Sequence, residues 1–227
     1  MINKEQISDF KGACKENEII ASIVKQYLFE EIDTPILDVG AGFGDIAKKV
    51  FFDRQVILLD VIDFKSHPES LLHRRIVSDF LSIDKKILGE IGCLCFFHSI
   101  QFLDKDVTAF KEKIKEINPK QIIVAFNKND GEMGSLVDFF KEEIIDSNPE
   151  IFNPNLFPIH YKEKKSFDFD VDCVGNDFFD LTRKVCYLMD CQPNEIDFQK
   201  IFCFIRKKLS RPVLNINQTF LFLENEQ

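Results

Sequence analysis

The sequence predicts an α/β fold: a seven-stranded, mostly parallel sheet with helices on both faces. Three observations lead there, namely short apolar runs of strand length, helical segments with charged outer faces between them, and a glycine-rich turn joining the first run to the next helix. The runs are too uniformly apolar for a sheet with one wet face, so both faces must be covered, as in parallel sheets with crossover helices. With 227 residues, 45% of them hydrophobic, the chain can bury a full core within one domain.

The first element is an amphipathic helix over Glu16 to Ile32, with Ile19, Ile20, Ile23, Val24, Tyr27 and Leu28 at the three-and-four spacing of one face. Strands follow at Ile36 to Val39, Val56 to Leu59, Ile76 to Val77, Cys93 to Phe97 and Gln121 to Phe126. Between them, helical period marks Asp45 to Phe52, Asp104 to Ile117 and Ser135 to Ile145. Pro149, Pro154 and Pro158 then signal a loop. Phe167-Asp-Phe-Asp-Val-Asp172 alternates with period two, a strand with one apolar face and one face of three carboxylates. Helices are expected at Asn176 to Met189 and Asn194 to Leu209, the second ending in Arg206-Lys207-Lys208, which suits a helix C-terminus. Val213 to Leu223 is the closing strand, and because the sheet needs it no domain boundary is placed at Asn148.

The 38 acidic side chains against 29 basic ones give a net charge of −9. That balance opposes unaided binding to nucleic acid or to an anionic membrane and favours cationic or neutral partners. No apolar run approaches the roughly 20 residues that span a bilayer. Seven cysteines at irregular positions, and an N-terminus Met-Ile-Asn-Lys-Glu-Gln without an apolar leader core, point to reduced thiols and a cytoplasmic location. Cys93-Leu-Cys95 has no second pair at zinc spacing, and His67, His73 and His160 have no motif company, so no metal site is expected.

The sharpest feature is Ile36-Leu-Asp-Val-Gly40-Ala-Gly42-Phe-Gly44-Asp45, a buried strand running through three glycines into a helix. Glycines there let the backbone turn tightly and approach a ligand with no Cβ in the way. A dinucleotide site would place its third glycine five positions after the first, with pyrophosphate at the helix N-terminus. Here the third glycine comes four positions after the first, and Asp38 precedes the loop by two residues, a spacing that favours a different nucleotide. A purely structural strand-to-helix turn is the plainer alternative.

Asp38-Val-Gly40-Ala-Gly42-Phe-Gly44 resembles the first motif of class I S-adenosylmethionine-dependent methyltransferases, and later features fall where that family has them. Asp60 ends the second strand, sixteen residues past Gly44, where the family's acid holds the ribose hydroxyls. Asp63 competes for that role. Asp79-Phe80 follows the third strand, where the resemblance implies an acid on the adenine amine and an aromatic ring packed on the base. His98 ends the fourth strand, where family members contact the methionine part. The resemblance covers about residues 35–127 and implies a Rossmann-like fold, S-adenosyl-L-methionine as cofactor and methyl transfer as activity. It makes 34–147 the cofactor-binding core of a single domain, 1–33 an N-terminal helical lid and 148–227 a substrate cap.

Family members that methylate exocyclic amines of bases carry an Asn- or Asp-Pro-Pro-aromatic motif after the fourth strand; here that place reads Phe97-His98-Ser99-Ile100-Gln101-Phe102-Leu103. The missing motif and the acidic charge both argue against nucleic acid. The segment His98 to Leu103 is similar to the His-x-Ile-Gln-x-Leu stretch of histamine N-methyltransferase and its relatives, as is the order of elements in the C-terminal half. That likeness implies a small polar acceptor methylated at an amine nitrogen. Gln101 would orient it, unless it is simply a buried amide satisfying backbone groups, and Gln218 or Asn217 would hydrogen-bond it. Phe102, Tyr27 and Phe178 are candidates to wall its pocket, with core filling as the plainer alternative. Asp168, Asp170, Asp172, Asp177 and Asp180 would either attract a cationic amine or simply solvate an outer face. An RNA or protein substrate recruited by a partner, and a non-catalytic scaffold, are the remaining readings.

Overall fold

Ile36 to Val39 is buried at all four positions, as a strand covered on both faces must be. A computed structural model of the chain describes residues 14–64, 71–100, 103, 106–144, 156–158, 160–189 and 191–226. The elements run α1 (Glu16–Ile23), β1 (Ile36–Val39), α2 (Asp45–Val50), β2 (Val56–Asp60), β3 (His73–Val77), α3 (Lys85–Leu88), β4 (Cys93–Phe97) and α4 (Val107–Ile117). They continue with β5 (Gln121–Asn127), α5 (Gly131–Glu143), β6 (Tyr161–Val174), α6 (Phe178–Leu188), α7 (Glu195–Lys208) and β7 (Val213–Asn225).

All seven strands form one sheet in the order β3-β2-β1-β4-β5-β7-β6. The first five are parallel, with Ile36 opposite both Val56 and Cys93, and Leu94 opposite Ile122. β7 runs against β5: the Lys128 N–H meets the Asn217 carbonyl at one end, and the Asn225 N–H meets the Lys120 carbonyl at the other, both at 2.8 Å. Alternate residues Leu37, Val39, Ile57, Leu59, Leu94, Phe96, Ile122 and Val124 line one face of the sheet and meet Phe110, Ile114 and Phe157. Phe96 anchors that core, its ring centroid 5.7 Å from Phe80 and 5.6 Å from Phe110. Full burial of such a ring contributes about 1.5–3 kcal/mol.

Of the elements that depart from the periodicity, four show the physical reason. The single helix expected over Glu16 to Ile32 is α-helical only to Ile23, then widens into a π turn over Val24–Leu28 and tightens over Phe29–Glu31. The Arg54 guanidinium receives that end, donating to the carbonyls of Phe29 and Ile32 that the helix leaves without partners, and lies 4.1 Å from the Phe29 ring centroid. β3 begins at His73 rather than Ile76 because its backbone pairs with β2 from Val56 onward, whatever the charge on Arg74 and Arg75. β6 likewise starts at Tyr161, well before the alternating Phe/Asp run, through the charged stretch Lys162 to Lys165 that an edge strand accommodates. The short α3 was not expected; the Asp84 carboxylate caps it by accepting the Lys86 N–H, and Gly89 at φ +78° ends it.

The chain groups into two compact units, each entered more than once. One comprises the described residues of Asn17–Phe126, Phe152–Asp168 and Thr219–Gln227, and holds the glycine turn and the core above. The other comprises those of Met1–Glu16, Asn127–Ile151 and Phe169–Gln218, with α5, α6 and α7. Among the described residues no helix is long and apolar enough to cross a membrane.

Candidate functional site

The turn after β1 is built from three left-handed glycines, Gly40 at φ +68°, Gly42 at +56° and Gly44 at +75°. Two of them also lack room for a side chain. A Cβ on Gly40 would lie 2.4 Å from the Ser99 Cβ, and one on Gly44 would lie 2.9 Å from Leu58 Cδ1. The strand end is tied down by the Gly40 and Ala41 N–H groups, which both donate to the Leu59 carbonyl. Ser99, just beyond β4, closes the other side, its hydroxyl donating to the Val39 carbonyl.

Asp60 is bound into this turn. Its Oδ2 accepts the Gly42 N–H and its Oδ1 accepts the Ile62 N–H, each at 2.9 Å. A carboxylate offers about four lone-pair positions, so two remain for other donors. Arg75 from β3 braces the turn from outside, its Nη1 donating to the Gly42 carbonyl at 2.8 Å. Neither Arg75 nor Ser99 was singled out from sequence; Arg75 reads as a charge on a weak strand, and only the pairing of β3 with β2 brings it opposite Leu58. Asp38 is 3% exposed at the base of the turn. Burial pushes the neighbouring Cys95 thiol well above its ordinary range, helped by the Cys93 thiol and the Asp38 carboxylate. His98 directly follows β4 at φ +54°, a left-handed conformation that costs a non-glycine residue about 1–2 kcal/mol, and its N–H donates to the Ala125 carbonyl.

The remaining expected residues fall in varied surroundings. Asp63 is exposed just past β2. Asp79 is also exposed, and its Oδ1 accepts the Ser82 N–H at 3.0 Å. Phe80 is 2% exposed and packs on Phe96 and Phe110. Tyr27, 47% exposed on the π turn, stacks on Phe167 with centroids 5.1 Å apart. The Phe178 ring at the start of α6 has the Arg206 guanidinium 5.8 Å away, so its cation comes from the chain itself. Gln101 and Phe102 lie outside the described residues. Of the acidic run, Asp168 accepts from the Thr219 hydroxyl and Asp172 from the Asn215 amide. Asp177 caps α6 by accepting the Asp180 N–H. Lys184, which donates to Asp180 at 2.8 Å, is the main cause holding the Asp180 carboxyl below its usual range.

A polar cluster that sequence reading caught only in part surrounds Gln218 on β7. This side chain is 2% exposed, and its Nε2 donates to Glu16 Oε1 at 2.8 Å and to Asn127 Oδ1 at 2.9 Å. Both amide hydrogens are thereby used, which fixes the amide orientation. Its Oε1 is buried and has no hydrogen-bond partner among the described residues. An acceptor left in that state costs about 1–3 kcal/mol, so the position favours a donor. Glu16 begins α1 and Asn127 ends β5; neither carries a sequence signal beyond being polar at an element terminus.

No protein-family profile and no curated protein sequence matches the chain. Solved structures do. A cyclopropane-fatty-acyl-phospholipid synthase-like protein from Lactobacillus casei superposes with a TM-score of 0.58 at 10% identity, over 92% of this chain and 90% of that one. A protein assigned to the type II methyltransferases, from Anaeromyxobacter dehalogenans, gives 0.55 at 12% identity over 90% and 94%. A protein assigned as a methyltransferase of an antibiotic biosynthesis pathway, from Anabaena variabilis, gives 0.52 at 15% identity over 90% and 96%. The finer likeness to histamine N-methyltransferase rests on the sequence alone. At these identities it is the fold that is established: the chain has the seven-stranded, Rossmann-like fold that these methyltransferase-related structures share.

Proposed function

We propose that this chain is an S-adenosylmethionine-dependent methyltransferase that methylates an amine nitrogen of a small polar molecule by direct in-line transfer. The glycine turn carries the cofactor part of this reading. Three left-handed glycines turn the backbone sharply at the end of β1, Asp60 fixes the turn with two lone-pair positions to spare for ribose hydroxyls, and Asp38 lies buried beneath. These residues suit a nucleoside. The strained His98 directly after β4 fits the same pattern, since such conformations cluster at ligand sites. When bound, the cofactor supplies a methyl group already activated on a sulfonium, so the protein's part is to bind, orient and accept a proton.

The Gln218 cluster carries the acceptor part. Glu16, Asn127 and Gln218 Oε1 are hydrogen-bond acceptors, the chemistry that receives N–H groups of an amine. Holding an amine by its N–H bonds leaves the nitrogen lone pair directed away from these acceptors, as the attack requires. The Glu16 carboxylate can take the departing proton.

A methyl-donor turnover screen tests this against small amines, carboxylates and phenols, set beside bulk tRNA and rRNA. Turnover is expected with amines, and Glu16→Gln should raise KM for the best amine about tenfold, equivalent to about 1.4 kcal/mol, with S-adenosylhomocysteine affinity unchanged. Methylation of RNA only would overturn the small-molecule reading. Absence of S-adenosylhomocysteine binding by calorimetry would overturn the cofactor reading.

A further inference from the structure

The unit that contains α5, α6 and α7 has a cleft of about 340 Å³ that the methyl-transfer reading does not use. That volume lies within the range of small-molecule sites. Its inner wall is apolar, formed by Leu136 of α5, Val185 of α6, Phe204 and Ile205 of α7 and Leu214 of β7. All of these but Phe204 are at most 3% exposed, so they form the packed floor of the cleft, and its open apolar surface belongs to Phe204 and to Leu209 beside it.

The polar groups of the lining are few and unequal. Glu132 Oε2 accepts the Asn215 N–H at 2.7 Å, and the Ser135 hydroxyl donates to the Gly131 carbonyl at 3.3 Å. Lys208 has no carboxylate partner among the described residues; its ammonium lies 5.7 Å from the Phe204 ring centroid. It ends a helix whose last turn is Arg206, Lys207 and Lys208. Within a chain of net charge −9 this makes one cationic corner beside an apolar hollow.

We infer that this cleft is a second small-molecule site, taking an amphipathic carboxylate whose hydrocarbon body packs on Phe204 and Leu209 while its head group meets Lys208. Apolar area supplies the binding and the single ammonium selects the charge of the head group. The inference does not depend on methyl transfer.

Calorimetric titration of the full chain with octanoate, octanol and octylamine tests it, because the three probes share a body and differ in head group. Octanoate should bind with one-to-one stoichiometry and at least tenfold more tightly than either of the others. Lys208→Glu, on an exposed position, should reverse the order of octanoate and octylamine, and Ser135→Phe at the cleft wall should abolish binding of all three. Circular dichroism establishes that both variants fold. Octanol binding as tightly as octanoate, octanoate affinity unchanged in Lys208→Glu, or no binding of any probe to the wild-type chain would each overturn the proposal.

Discussion

At the scale of single residues, the contact between Gly40 and Ser99 makes the clearest prediction. Gly40→Ala adds a Cβ 2.4 Å from the Ser99 Cβ at a left-handed φ. The conformation costs about 1–2 kcal/mol and the overlap adds to it, for a total of about 3 kcal/mol measured by denaturant unfolding. Ser99→Gly in the same chain should recover the overlap part only, a non-additivity that a double-mutant cycle reads directly. On the proposed function, Gly40→Ala should also lose S-adenosylhomocysteine binding, whereas Phe80→Leu should lower stability far more than affinity, since that ring is in the core. Residues of the turn were legible in sequence because glycine at alternate positions has few other uses. Arg75, Ser99, Glu16 and Asn127 were not, because each acquires its role from a partner distant in sequence: 33 residues separate Arg75 from Gly42, and 202 separate Gln218 from Glu16.

At the scale of elements, α6 offers a test of its own ion pair. Lys184 and Asp180 sit one turn apart with their side chains 12% and 15% exposed, and Asp180 also accepts the Asn176 N–H. The Asp180 carboxyl is lowered in the folded chain, first by Lys184 and next by that N–H. A lowered carboxyl stabilises the fold at pH values above its unfolded value of about 3.9, and the contribution is lost as pH falls through the folded value below it. Asp180→Asn should therefore cost about 2 kcal/mol at pH 7, and the gap to wild type should close progressively below about pH 4 in denaturant midpoints. The elements themselves were readable wherever burial imposes a period, as in β1, β2, β4 and β5. Where an edge strand carries charge, as β3 and β6 do, periodicity understates the length, because backbone pairing asks nothing of the side chain.

At the scale of the whole molecule, cysteine exposure provides a global check. Six of the seven thiols are buried and Cys203 is exposed. Burial pushes the Cys186 thiol up to about 12, and the Cys173 thiol next to Cys14, together with burial, raises Cys14 further. Alkylation of the native chain at pH 7.5 should therefore label Cys203 first and the other six only on unfolding, as peptide mass mapping would show. The order of apolar runs and helical segments determined by itself that the sheet is mostly parallel and covered, and the glycine spacing determined where the chain turns from the first strand into the next helix. What only tertiary structure decided is which polar groups share a neighbourhood. The sequence names Gln218 and Asp60 as polar residues, but whether an amide is bound to a carboxylate from another element, or a carboxylate to a glycine amide, depends on strand order and register. Those follow from packing the whole sheet at once, because hydrogen bonding and burial act through space and carry no memory of distance along the chain.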